Sequence, residues 1–277
     1  VYEKTVEYTA ADVTEQLKKG ENVLGLWVGG HWPLDEKLRA KDVYSEAFYR
    51  GRCVGFAELH LTFKGGKKVI LGTDDTWQTS MSPIEISSVF DGEQYDARRE
   101  QTGWSLPGFD TNGWKNAYLA KEPLGKLVYS YTPAIRVVEE RKPVKIWKQK
   151  DSWIVDFGQN FTGWVRLSMD EKEGTVIKFR HGEVLYPDGS LNVENLRFAK
   201  ATDLYTCKGK EECYEPRFTY HGFRYAEITG ITGELKAEQI IGKVVHTDNQ
   251  EISEFSCSDE AFNRIFKAMV WTMRSNM

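Results

Sequence analysis

The fold class is decided by the stretch Trp153-Ile-Val-Asp-Phe-Gly-Gln-Asn-Phe-Thr-Gly-Trp-Val-Arg-Leu-Ser-Met169. Aromatic and branched residues dominate its two ends, Trp153–Phe157 and Trp164–Met169, and such residues favour strands. The glycine and asparagine residues between the two ends suit a tight connection. The stretch therefore predicts two short neighbouring strands joined by a turn.

The same pattern continues toward the C-terminus. Short strand-like segments, separated by turn residues, lie at Thr175–Arg180, Leu204–Cys207, Phe218–Tyr220 and Phe223–Ile228. Gly222 predicts a bend between the last two segments. Many short strands with polar turns are typical of a β-sandwich, so we predict such a domain over residues 134–246.

The N-terminal part predicts a first β-sandwich over residues 1–133, bounded by Pro133. Its strands are expected at Tyr2–Tyr8, Val23–Val28, Cys53–Phe63 and Lys68–Leu71. The pair Gly65-Gly66 predicts the turn of a hairpin between the last two strands. A short helix is expected from Asp12, with Glu15 at the spacing of a capping box, to a stop at Gly20.

The last 20 residues or so predict a helix. The apolar side chains at the spacing of one helical face are Phe262, Ile265, Phe266, Met269 and Met273. Asp259 and Glu260 fall in the first turn, where carboxylates suit the positive end of the helix dipole. No Gly or Pro closes the far end, and the apolar face needs a partner. We therefore expect residues 247–277 to be a linker and the opening helix of a helical domain in a longer protein.

Composition and charge exclude several classes of function. A net charge of −4 and a pI near 5.9 give no electrostatic case for binding nucleic acid or an anionic membrane surface. No apolar run in the sequence approaches the roughly 18 residues of a membrane span. The aromatic content of 13% suits either a β-rich core or a sugar-binding surface.

The sequence also contains no motif for the common cofactors. A glycine-rich phosphate loop, a G-x-S-x-G elbow and an H-E-x-x-H helix are all missing, so no nucleotide, serine-hydrolase or zinc-protease chemistry is expected. The cysteines form no C-x-x-C pair and have no His cluster nearby, so no zinc site is expected and no metal ligand is assigned. Calcium among the Asp-rich turns stays open. Cys207 and Cys213 could pair across a turn, but reduced thiols in a cytoplasmic protein are the favoured interpretation.

The richest polar cluster is Asp91-Gly-Glu-Gln-Tyr-Asp-Ala-Arg98. On a strand, Asp96 and Arg98 would be neighbours on one side and Glu93 would lie on the other. Trp104 follows as a flat aromatic surface, and hydroxyl-rich ligands bind carboxylates, guanidinium groups and aromatic faces. Glu93, Asp96, Arg98 and Trp104 are therefore the candidate sugar-binding or interdomain residues. A simple ion pair between Asp96 and Arg98 is the structural alternative.

A second candidate is the segment His181-Gly-Glu183. If Thr175–Leu185 is one strand, His181 and Glu183 share a face with apolar residues. A carboxylate in such surroundings could have a raised pKa and act as a general acid. A glycosidase requires a second, placed carboxylate, so a structural role is favoured for both residues.

Several stretches, taken in order, resemble the bacterial α-L-rhamnosidases of glycoside hydrolase family 78. The stretches similar to the β-domain of that family are Asp156-Phe-Gly-Gln-Asn-Phe-Thr-Gly-Trp-Val-Arg166, His181-Gly-Glu-Val-Leu185, Asn195-Leu-Arg197, Asp203-Leu-Tyr205 and Phe218-Thr-Tyr-His-Gly-Phe-Arg-Tyr225. Those similar to its N-terminal domain are Gly72-Thr-Asp-Asp-Thr-Trp77 and Gly92-Glu-Gln-Tyr-Asp-Ala-Arg98. Phe255-Ser-Cys-Ser258 and Trp271-Thr-Met-Arg-Ser-Asn276 resemble the segment that leads into its helical barrel.

The resemblance implies a mainly β chain: two β-sandwich, jelly-roll-like domains, the first incomplete at its start, followed by a single C-terminal helix that opens an (α/α)₆ catalytic barrel. The parent enzyme would hydrolyse terminal α-L-rhamnose from glycosides with inversion, using two carboxyl groups. Those groups match no position of this chain, so no catalytic residue is expected, and the chain would brace the barrel. The rival hypothesis is a stand-alone carbohydrate-binding module, and a third is an enzyme built on His181 and Glu183.

Overall fold

The computed structural model describes residues 4–29, 54–120 and 125–277. Their contacts divide them into two compact units. The first unit comprises residues 4–29, 54–82, 100–120 and 125–131, and the second comprises 83–99 and 132–277. No helix in this part of the chain has the length and apolar character needed to span a membrane.

Strands make up most of the regular structure. In chain order they are β1 (Thr5–Tyr8), β2 (Glu58–Thr62), β3 (Lys68–Gly72), β4 (Gln78–Thr79), β5 (Ile84–Ser88), β6 (Gly92–Asp96), β7 (Lys115–Asn116), β8 (Lys126–Tyr129), β9 (Ile135–Arg141), β10 (Lys145–Gln149), β11 (Ser152–Asp170), β12 (Val176–Gly182), β13 (Val184–Leu185), β14 (Leu191–Asn192), β15 (Thr202–Thr206), β16 (Glu211–Tyr214), β17 (His221–Thr229) and β18 (Ile240–Thr247). The α-helix of the described residues is α1 (Glu260–Arg274). Single turns of 3₁₀ helix lie at Thr14–Gln16, Ala97–Arg99, Glu194–Leu196 and Ala237–Gln239. The predicted class, mainly β with a C-terminal helix, is confirmed.

The described part of the first unit contains two-stranded ladders. β1 pairs with β8 in parallel, whereas β2 with β3 and β4 with β7 are antiparallel pairs. The predicted hairpin between β2 and β3 is confirmed. Gly66 has a φ of +80°, which glycine adopts without strain, and its amide donates to the carbonyl of Phe63 (2.8 Å).

Two predicted elements of the first unit are wrong. Val23–Val28 is not a strand, and a single 3₁₀ turn at Thr14–Gln16 replaces the helix expected after Asp12. The Asp12 carboxylate accepts a hydrogen bond from the amide of Thr14 (2.9 Å). Because such a local bond offers the backbone an alternative to helical hydrogen bonds, it favours a turn over a longer helix.

The second unit is built on a ten-stranded sheet with the main order β5-β6-β15-β12-β17-β11-β18-β9. β10 and β16 each pair with a further part of β11. β6 runs parallel to β15, and the other pairs of this sheet are antiparallel.

The sheet places β5 and β6 in the second unit, whereas the sequence boundary at residue 133 assigned them to the first domain. The reason is the long-range pairing of β6 with β15, which sequence patterns do not reveal. The predicted boundaries at 133 and 246 otherwise stay predictions.

Strand β11 runs without interruption for 19 residues. The prediction of two strands joined by a turn is wrong here, because the residues around Gly158 form an irregularity within one strand. Asp156 pairs with Tyr225 and Phe161 pairs with Phe223, so five steps along β11 match two steps along β17. The extra residues of β11 form a bulge, which bends a strand without ending it.

Two glycines near the middle of the sheet have different roles. Gly163 on β11 has a φ of +153°, and a Cβ built there would lie 1.7 Å from the carbonyl oxygen of Lys243 on β18. Gly222, predicted to bend the chain, lies within β17 opposite Thr162. A Cβ built at Gly222 would meet no atom within 4 Å. The packing of β11 against β18 therefore requires glycine at 163, whereas the site at 222 has room for a side chain.

Aromatic rings fill the core of the second unit. Phe157, Phe161 and Phe223 form one group with ring centroids 4.6–5.9 Å apart. A second group at the same range of distances consists of Tyr95, Tyr205 and Tyr214. Offset and edge-to-face contacts of this kind stabilise a core beyond the burial of apolar area. The aromatic richness of the sequence is used, in this unit, for packing between strands.

Helix α1 is attached to the second unit through one side. Asp259 caps its start by accepting a hydrogen bond from the amide of Ala261 (2.8 Å). The Trp271 ring packs against the core, and the guanidinium groups of Arg141 and Arg274 lie 5.4 and 4.9 Å from its centroid. Cation–π contacts therefore reinforce this attachment.

The other side of α1 is apolar and open to solvent among the described residues. Phe262, Ile265, Met269 and Met273 each remain 55–59% exposed. Phe266, predicted on the same face, instead contacts Phe255 with ring centroids 5.4 Å apart. The exposed four are called the outer face of α1 below.

We expect Gly163→Ala to lower the free energy of unfolding by about 3 kcal/mol or more, because the new methyl group collides with backbone that cannot move aside alone. The matched control is Gly222→Ala on the neighbouring strand, which should change stability by no more than about 1 kcal/mol. Urea unfolding followed by tryptophan fluorescence measures both. Equal stability of the two variants would contradict the role assigned to Gly163.

Candidate functional site

Polar residues of the second unit gather in two places. The buried cluster consists of Glu93, His181, Asp203, Tyr214 and His221, none of which is more than 4% exposed. The surface network consists of Asp156, Asn160, Glu183, Asn195 and Arg224. Every member of the two groups except Tyr214 comes from a stretch that carries the family resemblance.

Three side chains of the buried cluster point inward because of their positions along their strands. His181 follows the buried Phe179 at an alternate position of β12, and Asp203 precedes the buried Tyr205 in the same way on β15. His221 opens β17. Because β12 pairs with both β15 and β17, these three strands deliver one side chain each to the same region.

Two imidazoles and a carboxylate form the centre of the buried cluster. The rings of His181 and His221 are stacked, with centroids 4.2 Å apart and 21° between their planes. His221 Nε2 lies 3.1 Å from both carboxylate oxygens of Asp203. The amide of Glu93 donates to Asp203 Oδ1 (2.8 Å). Burial alone would raise the pKa of Asp203, but His221 reverses this, and the pKa is lowered.

The tautomer of His181 follows from its surroundings. Its Nδ1 lies 3.1 Å from the carbonyl oxygen of Ala201, and because a carbonyl can only accept, Nδ1 carries the proton. Nε2 then bears a lone pair, and it is buried without a hydrogen-bond partner. Burial, aided by the neighbouring His221, lowers the pKa of His181 to about 3, so this ring is neutral at physiological pH.

Glu93 is a fully buried carboxylate held by protein donors. It accepts hydrogen bonds from the Tyr214 hydroxyl (3.1 Å) and from the backbone amides of Arg217 (3.1 Å) and Phe218 (3.5 Å). Burial raises the pKa of Glu93 to about 7, with Asp203 adding to the rise and the hydrogen bonds opposing it. A carboxyl group of this kind could exchange a proton near neutral pH, but no solvent or substrate reaches it.

The surface network begins with Glu183, just beyond the end of β12. Its two carboxylate oxygens accept hydrogen bonds from the side-chain amides of Asn160 (2.8 Å) and Asn195 (2.7 Å). Glu183 thereby joins the bulge of β11 to the segment after β14. The predicted common face is confirmed for His181 with the apolar residues of β12, but it does not extend to Glu183, since the strand ends at Gly182.

Asp156 and Arg224 form the second half of the surface network. The Arg224 guanidinium donates to both carboxylate oxygens of Asp156, each at 2.8 Å, and the Gly158 amide donates to Oδ1 at 2.7 Å. Burial raises the pKa of Asp156, but these donors outweigh it and the pKa is lowered. The Arg224 guanidinium also lies 5.0 Å from the ring centroid of Tyr225.

The four candidate residues from the sequence do not share one environment. Glu93 belongs to the buried cluster and has no exposed surface to offer a sugar. Asp96 and Arg98 pair with each other at 2.7 and 2.8 Å, which is the structural alternative. Trp104 belongs to the first unit, where its ring lies edge-on to Trp27 with centroids 6.5 Å apart. A sugar-binding role of these residues stays a prediction.

Sequence reasoning missed Asp203, Tyr214 and His221 as members of a site. A usable signal was present: Asp203 and His221 occupy inward positions in strands whose other inward residues are apolar, such as Tyr205 and Phe223. A polar residue at such a position requires partners inside the protein. Strand register then decides which polar residues meet.

Two family profiles cover most of the chain, up to residue 246. Residues 1–139 match the "Alpha-L-rhamnosidase N-terminal domain", and residues 147–246 match the "Bacterial alpha-L-rhamnosidase concanavalin-like domain". The chain belongs to the α-L-rhamnosidase family. The resemblance read from the ordered motifs, and the β-sandwich class with it, is thereby confirmed.

Individual relatives agree with this assignment. An α-L-rhamnosidase of Streptomyces avermitilis is 34% identical over 278 residues, which cover 99% of this chain and 27% of the relative. The solved structure of the α-L-rhamnosidase from Dictyoglumus thermophilum has 43% identity and a TM-score of 0.78, covering 79% of this chain and 25% of that one. The Streptomyces avermitilis enzyme complexed with L-rhamnose has 36% identity and a TM-score of 0.78 over 80% of this chain and 22% of that one. The chain thus spans about a quarter of the length of these relatives.

We expect Asp156→Asn to lower the free energy of unfolding by about 1–2 kcal/mol at pH 7, since it breaks a bidentate ion pair of a half-buried arginine. The pKa of Asp156 is lowered on folding, so its contribution is complete above the ordinary value of 3.8 and is lost as the pH falls through the folded value. The stability difference between the two proteins should therefore be constant from pH 7 to 5 and shrink below about pH 4.

Chemical denaturation at a series of pH values measures this difference. The matched control is Glu85→Gln, which removes the exposed pair with Arg99 and should change stability by no more than about 1 kcal/mol. A difference for Asp156→Asn that stays unchanged down to pH 3 would show that the charge of Asp156 contributes nothing.

Proposed function

We propose that this chain is the non-catalytic β-domain portion of an α-L-rhamnosidase whose full-length form removes terminal α-L-rhamnose from glycosides with inversion of configuration. The observation that carries the proposal is the match of both β-domains to α-L-rhamnosidases that are more than three times longer. Inverting hydrolysis needs an acid and a base on opposite sides of the sugar, both accessible to substrate. In the described residues, Glu93 and Asp203 are sealed from solvent, while Asp156 and Glu183 are each engaged by protein donors.

The role we assign to the chain is to brace a helical catalytic domain. Support comes from the outer face of α1, where four large apolar side chains are more than half exposed. Apolar patches of this kind are the usual contact surfaces between packed elements. The opposite side of the helix is anchored by Trp271, so the outer face is presented in a fixed orientation.

We also place the chain in the cytoplasm, because Cys207, Cys213 and Cys257 are free thiols, which persist in reducing compartments.

The rival function is sugar binding by the chain itself, through Arg98 or Trp104. Titration calorimetry with L-rhamnose tests it directly. Binding that is lost in Arg98→Ala or Trp104→Ala, but kept in Glu85→Gln, would favour a carbohydrate-binding module. An enzyme built on His181 and Glu183 receives no support, because His181 is fully buried and cannot contact a substrate.

This chain alone should not hydrolyse p-nitrophenyl α-L-rhamnoside, whereas a longer natural chain that contains it should do so. The reason is that the acid and base of the reaction would lie in the helical domain of the longer chain. Release of p-nitrophenol, followed by absorbance under identical conditions, compares the two. Turnover by the short chain would overturn the proposal.

The outer face of α1 gives a second test in the longer chain. Ile265→Glu with Met269→Glu should lower its thermal midpoint and activity, since each buried side chain of this size stabilises by about 1.5–3 kcal/mol. In the short chain the same double variant should leave the midpoint nearly unchanged, because the side chains are already exposed there. Lys267→Ala, on the same exposed helix, serves as the control for both chains. Equal effects in the short and long chains would argue against the bracing role.

A further inference from the structure

The buried cluster contains an arrangement of donor atoms that the rhamnosidase function does not use. His181, Asp203 and His221 each offer one ligand atom, and these atoms all lie within 4.8 Å of one another. They come from three different strands, and all three side chains are buried. The expectation that the protein has no zinc site considered cysteine spacing, whereas this set is formed from residues distant in sequence.

The His181 ring is prepared as a ligand. Its Nδ1–H donates to the carbonyl of Ala201, which leaves the Nε2 lone pair buried without a hydrogen-bond partner. Metal-binding histidines characteristically donate their second ring nitrogen to a carbonyl or carboxylate in this way. A buried acceptor without a donor is unfavourable, so the lone pair of His181 indicates a missing partner.

The charges around the cluster also favour a cation. Asp203 is a buried carboxylate that accepts a hydrogen bond from the backbone amide of Glu93, and the side chain of Glu93 is a second buried carboxylate. A divalent ion at the cluster would balance both carboxylates within the protein interior.

We propose that His181 Nε2, His221 Nε2 and the Asp203 carboxylate bind a divalent zinc-class ion that fastens β12, β15 and β17 together. Two imidazoles and one carboxylate suit zinc or a neighbouring transition metal, whereas calcium and magnesium prefer oxygen ligands only. Zinc lies about 2.0–2.2 Å from such ligands, so the donor atoms, now up to 4.8 Å apart, would have to draw together. Because the two imidazole rings are stacked with 21° between their planes, one ring would also have to turn before both lone pairs could point at one ion. The proton on His221 Nε2, now shared with Asp203, would move to Nδ1 of that ring or to solvent.

The role of this ion would be structural. The three ligands are sealed from solvent, so the ion could not contact a substrate, and the inference is independent of the rhamnosidase proposal. Metal bound in such a place stabilises the folded chain because the unfolded chain lacks the assembled site. Loading would take place as the chain folds.

The test uses the whole chain, produced in zinc-supplemented and in zinc-depleted medium and then dialysed against EDTA. We expect about one zinc per chain by mass spectrometry in the first sample, with a thermal midpoint about 5 °C or more above the second. Production with Co²⁺ should give visible absorption bands typical of nitrogen and oxygen ligation. Zinc below about 0.1 per chain, with equal midpoints in the two samples, would overturn the proposal.

Variants assign the metal to the cluster. His181→Gln should abolish the retained zinc, and His60→Gln should not, since His60 is an exposed histidine beside Glu58 and controls for surface binding. Zinc lost in His60→Gln but retained in His181→Gln would overturn the assignment. If His181→Gln does not fold, the cobalt spectrum of the wild-type chain decides, and the absence of ligand-field bands there counts against the site.

Discussion

The second unit depends on the close approach of β11 and β18 at Gly163. The carbonyl oxygen of Lys243 occupies the place where a side chain would begin, so the two backbones can meet only at a glycine. This contact lets β11 continue past its bulge and pair successively with β10, β17, β18 and β16. The bulge in turn places Asp156 and Asn160 beside Arg224 and Glu183. The surface network is therefore a consequence of backbone geometry set by glycine.

Local patterns were sufficient for the class of fold and for helix α1, whose carboxylate-rich start and apolar spacing are properties of adjacent residues. They were insufficient for β11, because Gly158 and Asn160 are equally suited to a turn and to a bulge, and the paired strand decides between them. The helix expected after Asp12 failed for a local reason, since the Asp12 carboxylate bonds to the Thr14 amide. The place of β6 beside β15 required a contact between residues about a hundred positions apart, which periodicity cannot indicate.

In the candidate site, too, the sequence revealed which residues are neighbours along the chain but not which ones strand pairing brings together. Glu93, Asp96, Arg98 and Trp104 were grouped because they are close in sequence, but strand alternation sends Glu93 into the core while Asp96 and Arg98 satisfy each other in a turn. The side chains that do meet Glu93 are those of Asp203 and Tyr214, brought in by sheet register. Inward polar positions on otherwise apolar strands were the available signal, and they identify a buried group before its partners are known.

The buried cluster lies inside the second unit, so its polar side chains are not available to a binding partner. The imidazoles and carboxylates of the cluster are inside, where they can hold strands together but cannot act on a glycoside. What faces outward is the apolar side of α1, and its orientation is set from within the sheet. Trp271 lies beside Arg141 of β9, and the Arg141 guanidinium donates to the carbonyl of Phe157 on β11 (3.5 Å). The helix is thus tied to the bulged strand, so a domain resting on α1 would be positioned by the same backbone that shapes the sheet.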